Sequence, residues 1–101
     1  MKLTKNQHDI LIKWVSDNLI PLPKTNYNID TSEIRQSFCD LFAYGFYIDN
    51  YTMNDVLKEC GYIPAMLSHD PYFRWNISSK SRAIQKYRSS LGVPSKAPKY
   101  E

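Results

Sequence analysis

Apolar residues recur along this chain at helical intervals in four separate stretches. In "LTKNQHDILIKWVSDNLI" the residues Leu11, Trp14, Val15 and Leu19 are spaced by three and four, which puts them on one face of an α-helix. Thr4 stands three residues before Gln7, the pairing of a capping box, so a first helix is predicted over about 5 to 20. Pro21 and Pro23 stop it, and "PLPKTNYNI" reads as an extended, Pro- and Asn-rich connection. "DTSEIRQSFCDLFAYG" repeats the helical grammar, with Asp30 or Thr31 as cap, Glu33 in the first turn, and Ile34, Phe38, Leu41 and Phe42 on one face. "FYIDN" is compatible with a brief strand or a turn. A third, short helix opens at Thr52 with Asp55, and its Met53, Val56, Leu57 and Cys60 form an apolar stripe.

The pattern then changes. "YIPAMLSHDP" has no period, whereas "YFRWNI" alternates, with Phe73, Trp75 and Ile77 on one side and Tyr72, Arg74 and Asn76 on the other, as in a half-buried strand. "SSKSRAIQKYRSSLG" supplies a serine cap and a fourth helix whose Ala83, Ile84, Tyr87 and Leu91 face inward. Gly45, Gly61 and Gly92 each follow a predicted helix and read as C-terminal caps.

These elements predict a mainly α fold with a short β element, an α+β class. A helical trio followed by a strand-bearing excursion is the layout of a winged-helix-like or helix-turn-helix-like domain, here over residues 1–92. The remainder, 93–101, has too little apolar surface to order itself and is expected to be a flexible tail. The predicted core joins Leu11, Trp14, Phe38, Leu41, Phe42, Leu57 and Ile84, with Tyr44, Tyr47 and Tyr62 completing it.

Composition changes the picture through charge. The whole chain carries 13 basic and 10 acidic residues, but the two signs are segregated. Residues 1–70 hold six basic against nine acidic residues, a net −3, and residues 71–101 hold seven basic against one acidic, a net +6. Five of those cations, Arg74, Lys80, Arg82, Lys86 and Arg88, fall within 15 positions with no acid between them. A solvated helix face ordinarily mixes signs, so this cluster is the candidate nucleic-acid-binding site, with Tyr72, Trp75 and Tyr87 near enough to serve as stacking platforms. Trp75 shares a face with Phe73 and Ile77, which favours the core for it. The third helix would be the recognition helix of a helix-turn-helix, but it offers Asn54, Asp55, Lys58 and Glu59 to solvent, a poor match to a phosphate-lined groove.

No catalytic residues are assigned. His8 and His69 are isolated, Asp49 reads as a turn residue and Asp55 as helix-start charge, and no nucleophile, base and orienting group stand at a usable spacing. Cys39 and Cys60 form no zinc-ligand pattern and read as reduced, buried thiols. No metal site, cofactor or small-molecule substrate is expected. The longest apolar run, "LFAYGFYI", is far too short to span a membrane and the N-terminus lacks a signal-peptide core, so a cytoplasmic protein is expected.

The string "TSEIRQSFCDLFAYGFYIDNYTMNDVLKECGY", with the aromatic "YFRWNI" after it, resembles small winged-helix-like proteins of phage and chromosomal-cassette replication operons in Gram-positive bacteria. The likeness runs from Ser32 to Ile84, about half of the chain. Within that group it is to the small middle proteins that bind an A-family DNA polymerase and enable it to make primers. The resemblance implies a replication accessory with no active site of its own, whose partners are DNA, single-stranded or duplex, and a DNA polymerase. A winged-helix repressor of a mobile element and an inhibitor of a host protein are the alternative expectations.

Overall fold

The computed structural model describes residues 1–92; the predicted flexible tail, 93–101, lies outside the described residues. In chain order the elements are α1 (Lys5–Asn18), β1 (Pro21–Asp30), α2 (Thr31–Leu41), α3 (Asn50–Glu59), β2 (Arg74–Ile77) and α4 (Arg82–Ser90). They pack as one unit of helices around a two-stranded antiparallel sheet.

α1 opens with the predicted capping box: the Gln7 amide donates to Thr4 Oγ1 at 3.1 Å, and the Thr4 amide donates to Gln7 Oε1 at 3.0 Å. The helix stops two residues short of the predicted end. Ile20 is drawn out of it by two tertiary bonds, its amide donating to Ser81 Oγ and its carbonyl accepting from the Ser78 amide, both at 2.8 Å.

The predicted connection "PLPKTNYNI" is a strand. It pairs with β2 through Pro21↔Ile77, Asn26↔Trp75 and Asp30↔Arg74, with irregularities on both sides of Asn26. Proline tolerates such a bulged, two-stranded ladder because few of its amides need a partner strand. Asn26, almost fully buried, donates through Nδ2 to the Ile77 carbonyl and to Ser79 Oγ, both at 3.0 Å, and so replaces part of the missing ladder.

Asp30 caps α2 by accepting from the Glu33 amide at 3.0 Å. α2 ends at Leu41, before the glycine that was expected to cap it. Gly45 has no positive φ; it is glycine because an added Cβ would sit 2.1 Å from the Phe38 carbonyl oxygen. Gly61 and Gly92, at φ 94° and 75°, do adopt the left-handed conformation of C-terminal caps. "FYIDN" forms no strand. It is an irregular crossing pinned by the buried Ile48 and by Arg35, whose Nε donates to Asn50 Oδ1 at 2.8 Å. Asp49, read as a turn residue, is the N-cap of α3, accepting from the Thr52 amide at 2.8 Å. Those bonds from Thr52 hold its carboxyl below the usual aspartate range.

Between α3 and β2 the chain makes a hairpin-like excursion, with bridges Pro64↔Trp75 and His69↔Tyr72. Trp75 and Ile77 of β2 point into the core, as their alternation predicts, and Leu11, Trp14, Phe38, Leu57 and Ile84 join them there. Leu41 and Phe42 are only half-buried because α2 ends at that point. Tyr44 and Tyr47 are exposed at 76% and 67%, not core as expected, and Leu91 is exposed at the end of α4. Cys39 and Cys60 are free and half-buried, and burial pushes the Cys60 thiol up. Among the described residues no helix is long and apolar enough to cross a membrane.

Phe38 holds this core together. Its ring lies edge-on to Trp14 and Phe46, with centroids 5.3 and 5.0 Å away, and tilted against Phe42 at 5.7 Å. Phe38→Ala should cost about 3–5 kcal/mol, comparable to the whole stability of a small domain. Urea denaturation checks this: a midpoint close to the parent's would refute the aromatic cluster as the core's centre.

Candidate nucleic-acid interface

The position of the basic cluster is set by the turn that joins β2 to α4. Its three serines, Ser78, Ser79 and Ser81, are almost completely buried. The predicted serine cap is not formed: Ser81 Oγ makes no cap bond and accepts instead from the Ile20 amide at 2.8 Å. The turn closes on itself through the Ser81 amide to the Ser78 carbonyl at 3.1 Å and the Lys80 amide to Ser78 Oγ at 3.0 Å. With the serines turned inward, Lys80 and Arg82 are turned out.

Lys80, Arg82 and Lys86 are exposed and line one shallow open groove of about 600 Å³, whose opposite wall is Asp17, Asn18 and Ile20 at the end of α1. Arg82 and Lys86 are one helical turn apart, so they project from the same side of α4. Among the described residues no ion pair involves any of the three; Lys86 Nζ makes a long bond of 3.4 Å to the Leu41 carbonyl. Asp17, the acid in the groove wall, is engaged by Lys13 at 2.9 Å.

The other two cations have structural roles. Arg88 donates through Nε to Glu33 Oε1 at 2.8 Å and through Nη2 to the Asn28 carbonyl at 3.0 Å, with its side chain only 16% exposed. It clamps α4 to α2 and β1, and is withdrawn as a phosphate ligand. Burial pushes the Glu33 carboxyl above its ordinary 4.5, and the hydrogen bond and charge of Arg88 recover only part of that cost. Arg74 pairs with Asp30 at 3.0 Å across the sheet, which neutralises it.

The stacking candidates also separate. Trp75 is fully buried, its Nε1 donating to Thr31 Oγ1 at 2.9 Å, and cannot present a ring face to a base. Tyr87 is half-buried with its hydroxyl bonded to Gln36 Oε1, and burial raises its pKa. Tyr72 is exposed but lies in a separate depression with Arg35, Tyr47 and Asn50. Asn54, expected on the solvent face of α3, is buried and donates to the Pro71 carbonyl at 3.1 Å. The exposed face of α3 is left with Tyr51, Asp55, Lys58 and Glu59, and Glu59 is paired with His8 at 2.8 Å.

Three aromatic residues expected in the core, Trp14, Phe42 and Tyr44, adjoin the groove. Past Asn18 it continues into a cleft lined by Trp14, Ser37, Leu41 and Phe42, and then into an apolar pocket of about 420 Å³ formed by Ile10, Trp14, Phe42 and Tyr44. Nothing in the periodicity distinguishes an aromatic ring that closes a core from one that lines a pocket.

A favourable helix dipole does not account for the cations. Cations stabilise the last turn of a helix and destabilise the first, by roughly 0.3–1 kcal/mol each. Arg88 alone lies in the last turn of α4; Arg82 is its first residue and Lys80 precedes it, and the first turn contains no acid. Charge placed against the dipole is charge kept for another reason. No family model, no curated protein and no solved structure matches this chain.

Arg82→Glu places an acid where the dipole favours one, and should stabilise the protein by about 0.5–1 kcal/mol, read as a higher urea midpoint. A lower midpoint would show that Arg82 is structural. For Glu33 the sign is the reverse of the usual carboxylate. Because its pKa is raised on folding, the native state holds the proton more tightly, and stability should fall as pH rises above the unfolded value near 4.5. Glu33→Gln should flatten that decline in a series of melts from pH 4 to pH 7; an unchanged slope would assign it to other groups.

Proposed function

We propose that this protein is a nucleic-acid-binding accessory of a DNA-replication module, which attaches to a DNA polymerase and holds template strand during primer synthesis. The observation that carries the binding half is the trio Lys80, Arg82 and Lys86, exposed around one groove, with Lys80 and Arg82 set against the dipole at the start of α4. Cations so placed attract phosphate backbones by charge alone, without reading sequence.

The polymerase half rests on the family resemblance and on a second surface. The excursion between α3 and β2 exposes Met66 at 99%, Leu67 at 87%, Ile63 at 67% and Tyr72 at 54%. Clustered apolar exposure of this kind marks sites of protein association. In this reading the fold is a winged-helix variant. The order α1-β1-α2-α3-β2 is that of a winged helix, with α4 in the place of a third strand. The repressor alternative has less support, because a groove-reading α3 would have to approach phosphates with Asp55 and Glu59.

Three phosphate contacts predict that log affinity for DNA falls by about 2 to 3 for each tenfold rise in salt, and that Lys86→Glu lowers this slope by about one. Fluorescence anisotropy at four salt concentrations measures it, and salt-independent binding would refute the assignment. With the partner polymerase present, the double variant Arg82→Glu, Lys86→Glu should leave the complex intact and lower template affinity. Loss of the complex with unchanged DNA affinity would make the groove a protein-docking surface.

A further inference from the structure

The basic groove and the apolar pocket adjoin each other along one side of the molecule and together make a two-part depression. Asn18 and Asp17 belong to the walls of both, and Arg82 and Lys86 border the cleft that joins them. We infer that this depression is a binding site for single-stranded nucleic acid, with backbone phosphates on Lys80, Arg82 and Lys86 and one unstacked base resting on the free face of Tyr44 in the pocket that Ile10, Phe42 and Trp14 also line. The inference rests on the proposed function above and narrows it from nucleic acid in general to a single strand.

The chemistry of the walls selects this occupant. A polyanion is required at one end, because three cations there have no acidic partner among the described residues and the one acid in the wall, Asp17, is already paired with Lys13. At the other end a flat, largely apolar group fits best, because Ile10, Trp14, Phe42 and Tyr44 make most of the pocket wall, with Lys13, Asp17 and Asn18 completing it. Its volume of about 420 Å³ falls in the range of small-molecule sites, about 300–1,000 Å³. A strand of nucleic acid carries both groups on adjoining units, and aromatic side chains accept any base because every base has a π-face. A duplex carries the phosphates but keeps its bases stacked and paired, so filling the pocket would require extruding one of them.

Tyr44 is the ring best placed to stack. It is 76% exposed and meets the Phe42 ring at 5.8 Å with a 68° angle between planes, so Phe42 fixes it from one side while solvent covers the rest. It follows α2 directly, on the turn that the tightly packed Gly45 closes.

The test compares three fluorescent probes of equal length: an oligothymidylate, a deoxyribose-phosphate oligomer lacking bases, and a duplex. The 101-residue protein and its variants Tyr44→Ala, Tyr44→Phe and Lys86→Glu are titrated against each. Because Tyr44 is mostly exposed, its removal should leave the melting curve unchanged. Tyr44→Ala should weaken oligothymidylate binding about tenfold, with no change in salt slope or in affinity for the baseless oligomer, and Tyr44→Phe should restore the parent value. Equal parent affinity for the baseless and base-bearing strands, or tighter binding of the duplex, overturns the inference. If Tyr44→Ala changes nothing while Lys86→Glu weakens every probe, the pocket assignment fails and the basic-groove reading stands; if neither matters, both fail. An acidic, tryptophan-bearing peptide that displaces the oligothymidylate at equal concentration, with the same dependence on Tyr44, would identify the site as a protein-docking cleft instead.

Discussion

The hydroxyl of Thr31 is the point on which three parts of this fold converge. Fully buried, it donates to Asn54 Oδ1 of α3 at 2.6 Å and accepts from Trp75 Nε1 of β2 at 2.9 Å, while the Thr31 amide donates to the Phe73 carbonyl at 3.1 Å. Asn54 extends the network to the Pro71 carbonyl. Leaving one buried polar group unpaired costs about 1–3 kcal/mol, and loss of this one hydroxyl would remove a hydrogen-bond partner from both Asn54 Oδ1 and Trp75 Nε1. A network in which every member is satisfied specifies a single arrangement, and among the described residues no buried side-chain nitrogen or oxygen lacks a partner. The orientation of β2 relative to α2 and α3 is therefore fixed by directional bonds as well as by apolar packing.

From that fixed strand the rest of the candidate site is determined in a few residues. β2 ends at Ile77, and the next four residues fold into a serine turn tied to Ile20, the residue just before β1 on the neighbouring strand. The same turn orients the start of α4 and brings its cations opposite the end of α1. Apolar residues would bury as readily as Ser78, Ser79 and Ser81, but they could not satisfy the amides of Ile20 and Lys80. The groove is thus built on the sheet through hydrogen bonds and is as well positioned as the core itself.

Charge in α4 has two different physical uses. Arg88 is spent on structure, clamped to Glu33 where both side chains are largely withdrawn from water. Desolvation raises the Glu33 pKa despite the bond from Arg88, so the pair does not fully offset the cost of its burial, and its value lies in the geometry it imposes on α2, α4 and β1. Lys80, Arg82 and Lys86 make the opposite choice, staying exposed with no ion pair among the described residues, and Lys80 and Arg82 do so at the unfavourable end of the helix. Five cations that look equivalent as a run of letters are two structural anchors and three available ones.

Local rules carried much of the fold in readable form. The capping box of α1, the apolar faces of the helices, the alternation of "YFRWNI" and the left-handed Gly61 and Gly92 all depend on interactions within a few residues, and periodicity or turn chemistry reports them directly. The charge segregation was likewise legible, since it needs only counting. β1 was not, because two prolines and two asparagines form a strand only when β2, some fifty residues later, supplies the ladder and Asn26 patches its gaps. Nor could periodicity assign Asn54 to the core, Tyr44 to the surface, or Arg74 and Arg88 to ion pairs, since each outcome depends on a partner distant in sequence. The sequence by itself determined which segments are helical and where the positive charge lies. Only the tertiary structure decided which of those charges stay available, because availability depends on what the folded chain brings within hydrogen-bonding distance of each one.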